Sequence, residues 1–214
     1  MLIRLNNISF DGLIRINKGK QILAKFDNIT GEFESGKCYQ LFSQNDSNNW
    51  ALCWLIGGAI TQQYGRITLN SEDYEQTHRR RDSWLVRFDE KKKFGLFSQS
   101  VKNQIRQGIQ QKDSSVLSEQ DLINHFRLTP ELSNRYLRQL SSEGWRASCA
   151  VGVAYNKRIF CFPPLQPEFV ENYKDSWFAD MIEFLKSLNT LVLLPTSPST
   201  NMDGICDEAL SVDT

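Results

Sequence analysis

The stretch from 36 to 58, GKCYQLFSQNDSNNWALCWLIGG, has the layout of a phosphate-binding loop. An apolar strand (Cys38 to Phe42) leads into a polar loop (Ser43 to Asn49), then into an apolar helix stopped by Gly57 and Gly58. A phosphate cradle needs glycines, so that backbone N–H groups can approach the phosphates. It also needs a lysine for their charge and a Ser or Thr hydroxyl for magnesium, in the order GxxxxGK[ST]. Laid on that order, Ser43 and Asn48 stand for the glycines, Asn49 for the lysine and Trp50 for the hydroxyl. Asp46 adds negative charge where phosphates would sit, a repulsion of roughly 1–4 kcal/mol at ~4 Å with no lysine to offset it. The scaffold of an anion site is filled with side chains that cannot do its chemistry.

Other reactive residues are sparse. The five cysteines (38, 53, 149, 161 and 206) are widely spaced and form no CxxC pair. They read as small buried hydrophobes in a reducing compartment, not as a metal site or disulfide framework. The two histidines, His78 and His125, leave almost nothing for a metal centre or a catalytic triad, and no metal site is expected.

Composition bounds the class. The chain has 214 residues, 40% hydrophobic and 23% charged, as in an ordinary globular protein. Lys+Arg and Asp+Glu balance at 25 each, which gives no electrostatic case for nucleic acid or an anionic membrane as the main partner. No apolar run approaches the ~18 residues that span a bilayer. The start, MLIRLNNISF, alternates like a strand and lacks the basic-then-apolar pattern of a signal peptide.

The elements that must position the loop follow from periodicity. LIRLNNISF (2–10) is expected as an opening strand, GLIRINKGKQI (12–22) as an extension of a hairpin, and AKFDNITGEFESGK (24–37) as a strand running to a turn. YGRITLNSEDY (64–74) and DSWLVRF (82–88) are further short strands, and HRRRDSW (78–84) reads as a solvated turn. From about 95 the spacing becomes helical, with Ser118 placed as an N-cap and Asp121 three residues on. Thr129–Pro130 is a second cap. A helix over about 142–156, a strand at 158–162, a helix carrying Phe178, Met181, Ile182 and Leu185, and the continuous apolar strand TLVLL (190–194) complete the pattern. The order predicts an α/β fold with a mostly parallel sheet and helices on both faces. Residues 198–214 are expected to be a flexible tail.

Taken together, these segments resemble the nucleotide-binding domain of ATP-binding cassette (ABC) transporters over about residues 2–197. ILAKFDNITGEFESGKCYQLF resembles the hairpin leading to the phosphate loop, and YGRITLNSEDY the strand after its helix. FGLFSQSVKNQIRQG resembles the segment after the Q-loop. LRQLSSEGWRASCAVGVAYNKRIFCFPPL resembles the run from the LSGGQ signature to the Walker B strand, and NTLVLLPTS the strand before the switch histidine. The resemblance implies a P-loop NTPase-like core over 1–94 and 146–197, with antiparallel N-terminal hairpins, and a helical subdomain over 95–145.

The same resemblance implies that the chemistry is gone. Phe162 stands for the metal-linked aspartate of Walker B and Pro163 for the glutamate that polarises water; only Pro164 agrees. Thr196 replaces the switch histidine, and Asp89 or Glu90 stands nearest the Q-loop glutamine. Leu140 and Ser141 match the signature, Ser142 and Glu143 replace its two glycines, and Gly144 follows. Phosphoryl transfer rests on positioning and charge neutralisation, so the joint loss implies a pseudo-ATPase with no catalytic residue and no cofactor. ATP and Mg²⁺ enter only under an alternative, a slow ATPase using Lys37 or the lysines at 91–93. A soluble interaction module on the same fold is a third reading.

The partners implied are a transporter membrane subunit and a homo- or heterodimeric cassette, with no nucleic acid, at the cytoplasmic inner face of the cell membrane. Trp84, Phe88, Phe94 and Phe97 fall in the segment that in this family abuts the membrane subunit, and are the candidate partner surface; core packing is the default for Phe94 and Phe97. Trp50 and Trp54 are expected to fill space that a nucleotide would otherwise take. For Trp145, core packing and dimer contact stay equally open.

Overall fold

Leu2–Asn17 (β1) and Lys20–Glu34 (β2) alternate apolar and polar side chains and pair antiparallel, from Leu2 opposite Glu34 to Asn17 opposite Lys20. Strict alternation would turn Asn7 inward and Ile8 outward. Asn7 instead has φ of +52° and the register slips between Leu5 and Ile8, so Ile8 and Phe10 join Ile3 and Leu5 in the core. Asparagine tolerates this left-handed conformation, and a bulge shifts the phase of the pleat by one residue. The computed structural model describes residues 1–17, 20–90, 92–93, 97–111 and 117–213.

Cys38–Phe42 (β3) follows the hairpin, then Asp46–Ile56 (α1), Tyr64–Leu69 (β4), Glu72–Asp73 (β5), Gln76–Asp82 (α2) and Ser83–Leu85 (β6). The basic run at 78–81, read from sequence as a solvated turn, lies in helix α2. Its Arg79 is 2% exposed, donating to the carbonyls of Leu55 and Tyr74. The carbonyl of Leu55 belongs to the last turn of α1, which a guanidinium satisfies well. Gly58 ends that turn at φ +68°, where a Cβ would lie 2.5 Å from the amide nitrogen of Arg80, so only glycine lets α2 approach.

Two short strands, Lys92–Lys93 (β7) and Phe97–Ser98 (β8), precede the helical stretch of Val101–Gln110 (α3), Glu119–His125 (α4) and Pro130–Asn134 (α5). Ser118 and Asp121 form a reciprocal capping box, and Thr129 caps α5 with Pro130 in its first turn. Arg135 is extended and a single 3₁₀ turn covers Leu137–Gln139. Gly144–Ala154 (α6), Ile159–Cys161 (β9), Pro167–Tyr173 (α7), Ala179–Ser187 (α8), Leu191–Thr196 (β10) and Glu208–Ser211 (β11) complete the chain.

The central sheet runs β11-β3-β10-β9-β6, every pair parallel, and a second sheet runs β2-β1-β4-β5, every pair antiparallel. Alternate residues of the parallel strands feed two cores. Tyr39, Leu41, Ile159, Cys161, Leu191 and Leu193 pack with α1 and the hairpin. Cys38, Phe160, Phe162, Val192 and Leu194 pack with α6, α8 and the helical stretch. A continuous apolar run is what a strand buried on both faces requires.

The end of the chain differs from the flexible tail expected over 198–214. Residues 208–211 pair with 39–42 in β3, and Val212 is fully buried. The charges of Asp207 and Glu208 hide the strand in the sequence. They lie at the sheet edge, where Asp207 accepts from Cys38 N at 2.8 Å and Glu208 from Lys37 Nζ at 2.7 Å.

Candidate functional site

The turn between β3 and α1 is shorter than the sequence implies. Only residues 43–45 lie outside regular structure, because Asn45 caps the helix by accepting from Ser47 N at 3.0 Å and Asp46 already sits in its first turn. Asp46 and Asn48 are therefore helical residues, not loop residues. An acidic side chain at a helix N-terminus is favoured by the macrodipole, which gives Asp46 a structural reason to be there. Asn48 accepts from Lys25 N at 2.9 Å and ties α1 to the hairpin.

The positions assigned to phosphate chemistry bond to one another and to the chain end. Asn49, fully buried, donates from Nδ2 to the carbonyl of Thr196 at 2.5 Å. Thr196 accepts at Oγ1 from Gln40 Nε2 at 2.8 Å, and the same amide reaches the carbonyl of Thr200 at 3.1 Å. Ser43 Oγ donates to the carboxylate of Asp213, which also accepts from Gln44 N at 2.9 and 3.1 Å. A carboxylate carried by this chain thus holds the backbone N–H of Gln44 and the hydroxyl of Ser43. Asp213 lies in the segment read as a tail, and no sequence signal pointed to it.

Aromatic side chains occupy the next layer. Trp50, Trp54 and Phe88 touch pairwise with ring centroids 5.3–5.7 Å apart. Trp50 stands at the hydroxyl position and Trp54 is one helical turn further along, 6% exposed. Phe88 comes from the segment just before Asp89. Asp89 itself is held in a two-pronged pair with Arg80 and accepts from Leu85 N at 2.8 Å, so it caps its own turn.

At the Walker B positions, Phe162 is fully buried, its ring stacked on Trp145 at 5.8 Å and edge-on to Phe178 at 6.1 Å. Pro163 is half-buried. Neither side chain offers an oxygen to a metal or a base to a water. Trp145 also stacks on Phe169 at 4.9 Å, which places it in packing. Lys37, considered as a substitute cation, lies before β3, at the opposite end of that strand from the loop. It pairs there with Glu34 at 2.9 Å and Glu208 at 2.7 Å. Lys91 falls outside the described residues.

The signature remnant leads into α6. Leu140 is buried, Ser141 Oγ donates to Glu143 at 2.8 Å, and Ser142 is half-buried. Backbone and Ser141 hydrogen bonds hold the Glu143 carboxyl below its usual range. Gly144 is buried beneath Arg87, whose Nη1 would lie 1.5 Å from any Cβ there. The guanidinium donates to the carbonyl of Leu137 at 3.3 Å and rests over the N-terminus of α6.

Of the partner surface read from sequence, the described residues place Trp84 in the core and Phe88 in a half-buried cluster. Trp84 is 1% exposed, stacked on Tyr155 at 6.4 Å and donating from Nε1 to Ser148 at 3.0 Å; Gly152 leaves room for its ring. It belongs to the core because β6 is a buried strand. Phe88 is committed to the aromatic triad, Phe94 lies outside the described residues, and Phe97 is placed only by its backbone in β8. Among the described residues, no group of three or more His, Cys, Asp and Glu side chains could hold a metal, and no helix is long and apolar enough to cross a membrane.

A five-stranded parallel sheet with a strand–turn–helix built on the strand beside its edge, an antiparallel sheet and a run of helices between β8 and α6 define a P-loop NTPase-type α/β fold. More narrowly, it is the fold of ABC transporter ATP-binding cassettes. A putative ABC transporter ATP-binding protein from Pyrococcus furiosus superposes with a TM-score of 0.68 at 16% identity, covering 99% of this chain and 98% of that one. A dimeric bacterial ABC transporter cassette gives 0.66 at 15%, covering 99% and 94%. A subunit from Clostridium perfringens, described as part of an ABC transporter complex, gives 0.63 at 13%, covering 99% and 84%. No family model and no curated protein matches the sequence.

Proposed function

We propose that the chain is a non-hydrolysing subunit on the ABC cassette fold. It acts as a structural or regulatory partner of a membrane exporter and pairs with a second cassette at the cytoplasmic face. The observation that carries this reading is the bond from Asn49 to the carbonyl of Thr196. The position of the phosphate-binding lysine is used to fasten α1 to the end of β10. The phenylalanine and proline at 162 and 163 add to it, since they leave a bound nucleotide without a metal ligand or general base. Pairing with a second cassette and with a membrane subunit is supported by the likeness to cassettes described as dimeric and as part of a transporter complex.

Calorimetry with ATP and Mg²⁺, together with a phosphate-release assay, tests the first half. No heat of binding and no release are expected; a Kd tighter than ~100 μM, about 5.5 kcal/mol, overturns it. Co-purification tests the second half, with a membrane-spanning subunit expected in the complex and recovery of the chain always alone counting against it.

A further inference from the structure

Cys38 and Cys206 lie 168 positions apart in sequence, yet the fold sets their sulfurs 3.3 Å from each other. Cys38 opens β3 and is fully buried; Cys206 is half-buried, two residues before β11. The flanking backbones are already joined. Asp207 N donates to the carbonyl of Cys38 at 2.8 Å, and Cys38 N donates to the Asp207 carboxylate at 2.8 Å. A disulfide requires sulfurs about 2.05 Å apart, so closure needs a movement of roughly 1.3 Å. The segment carrying Cys206 leads from the loop after β10 into an edge strand. Cys53 and Cys161 also approach each other, but both are shut inside the core, with Cys161 Sγ donating to the carbonyl of Cys53 at 3.3 Å. Cys206 is the thiol of the five that solvent reaches.

We propose that Cys38 and Cys206 are a reversible disulfide pair that staples β11 to β3. The oxidant is a low-molecular-weight disulfide of the glutathione type. The Cys206 thiolate attacks one of its sulfurs, forming a mixed disulfide and releasing one thiolate. The Cys38 thiolate then attacks the Cys206 sulfur and releases the second. Two protein thiols are oxidised, one external disulfide is reduced to two thiols, and the two cysteine protons end on the released thiolates. Burial, then the contact with Cys206, pushes the Cys38 thiol up, which fits the order in which the half-exposed sulfur reacts first.

The staple would act at one end of a segment whose other end is Asp213, the carboxylate that holds Ser43 and Gln44. Oxidised, β11 gains a covalent link at its start; reduced, it is held by its edge pairing, by the bonds of Asp207 and Glu208 to Cys38 N, Lys186 and Lys37, and by the Asp213 carboxylate.

The test uses the full chain in a ladder of reduced and oxidised glutathione, followed by denaturing alkylation with N-ethylmaleimide. Adducts are expected to fall from five to three, five cysteines less the linked two. Peptide mapping is expected to join the Cys38 and Cys206 peptides. The melting temperature is expected to rise by several degrees on oxidation and return with dithiothreitol, because the link closes a long loop in the unfolded chain. Cys206→Ser is expected to melt at one temperature throughout the ladder. Five adducts retained at the oxidising end, a Cys53–Cys161 link, or glutathione left on Cys206 without a Cys38 link would each overturn the proposal.

Discussion

Asn49 and Thr196 are joined by a 2.5 Å hydrogen bond from the Asn49 side chain to the Thr196 carbonyl, buried between the first helix and the middle strand of the central sheet. Asparagine here is a strut. Asn49→Ala is expected to cost about 1–3 kcal/mol, the usual cost of leaving a buried carbonyl unpaired. Asn49→Lys restores the ammonium of a phosphate site but puts an unpaired charge beside Trp50. It is expected to lower the urea midpoint at least as far while giving no nucleotide binding by calorimetry. A lysine variant that bound ATP at micromolar concentration would show that the site needs only its charge.

The aromatic triad makes a different prediction. Trp50, Trp54 and Phe88 fill the layer above the loop with rings 5.3–5.7 Å apart. Truncating the half-buried Phe88 to alanine is expected to cost about 2 kcal/mol, and Trp54→Ala, at 6% exposure, about 3–5 kcal/mol. Because Phe88 touches both indoles, Phe88→Ala is also expected to shift tryptophan emission. Unchanged emission and stability would place Phe88 outside the packing.

Asp213 reaches back to the loop from the chain's end. Asp213→Asn keeps the shape and removes the charge that Ser43 and Gln44 share, at about 1–2 kcal/mol. The sharper readout is local. The Gln44 amide, protected by that carboxylate, is expected to exchange faster in the variant, while amides of β10 keep their wild-type rates.

Much of this arrangement could be read from the sequence where one rule governed. TLVLL announced a strand buried on both faces, and Ser118 with Asp121 announced a capping box that forms. The loop was misjudged at its far end, since Asn45-Asp46 carries a cap and an acidic first turn that outweighed the length of a phosphate loop. Strand β11 was missed because an edge strand needs few apolar residues: Val212 is buried, and Leu210 is packed against the core near the hairpin. Trp84 reads as a candidate partner-surface residue because it falls in the segment that, by the resemblance, abuts a membrane subunit. Its burial depends on Gly152, distant in sequence, which no local pattern links to it.

Asp82 gives the fold a dependence on acid. Burial by itself would raise its carboxyl. The hydroxyl of Tyr74, donating at 2.7 Å, and the guanidinium of Arg158 outweigh that and hold it below the usual range. The unfolded chain therefore takes up this proton before the folded one. The contribution to stability is complete above the ordinary aspartate value of about 3.9 and is lost as pH falls through the lowered folded value. Urea midpoints between pH 5 and about 2 are expected to fall for the wild type. Asp82→Asn is expected to start lower at pH 5, having lost the pairing with Arg158, and to fall less steeply over the same range. Parallel slopes for the two proteins would assign the acid sensitivity to the exposed carboxylates instead.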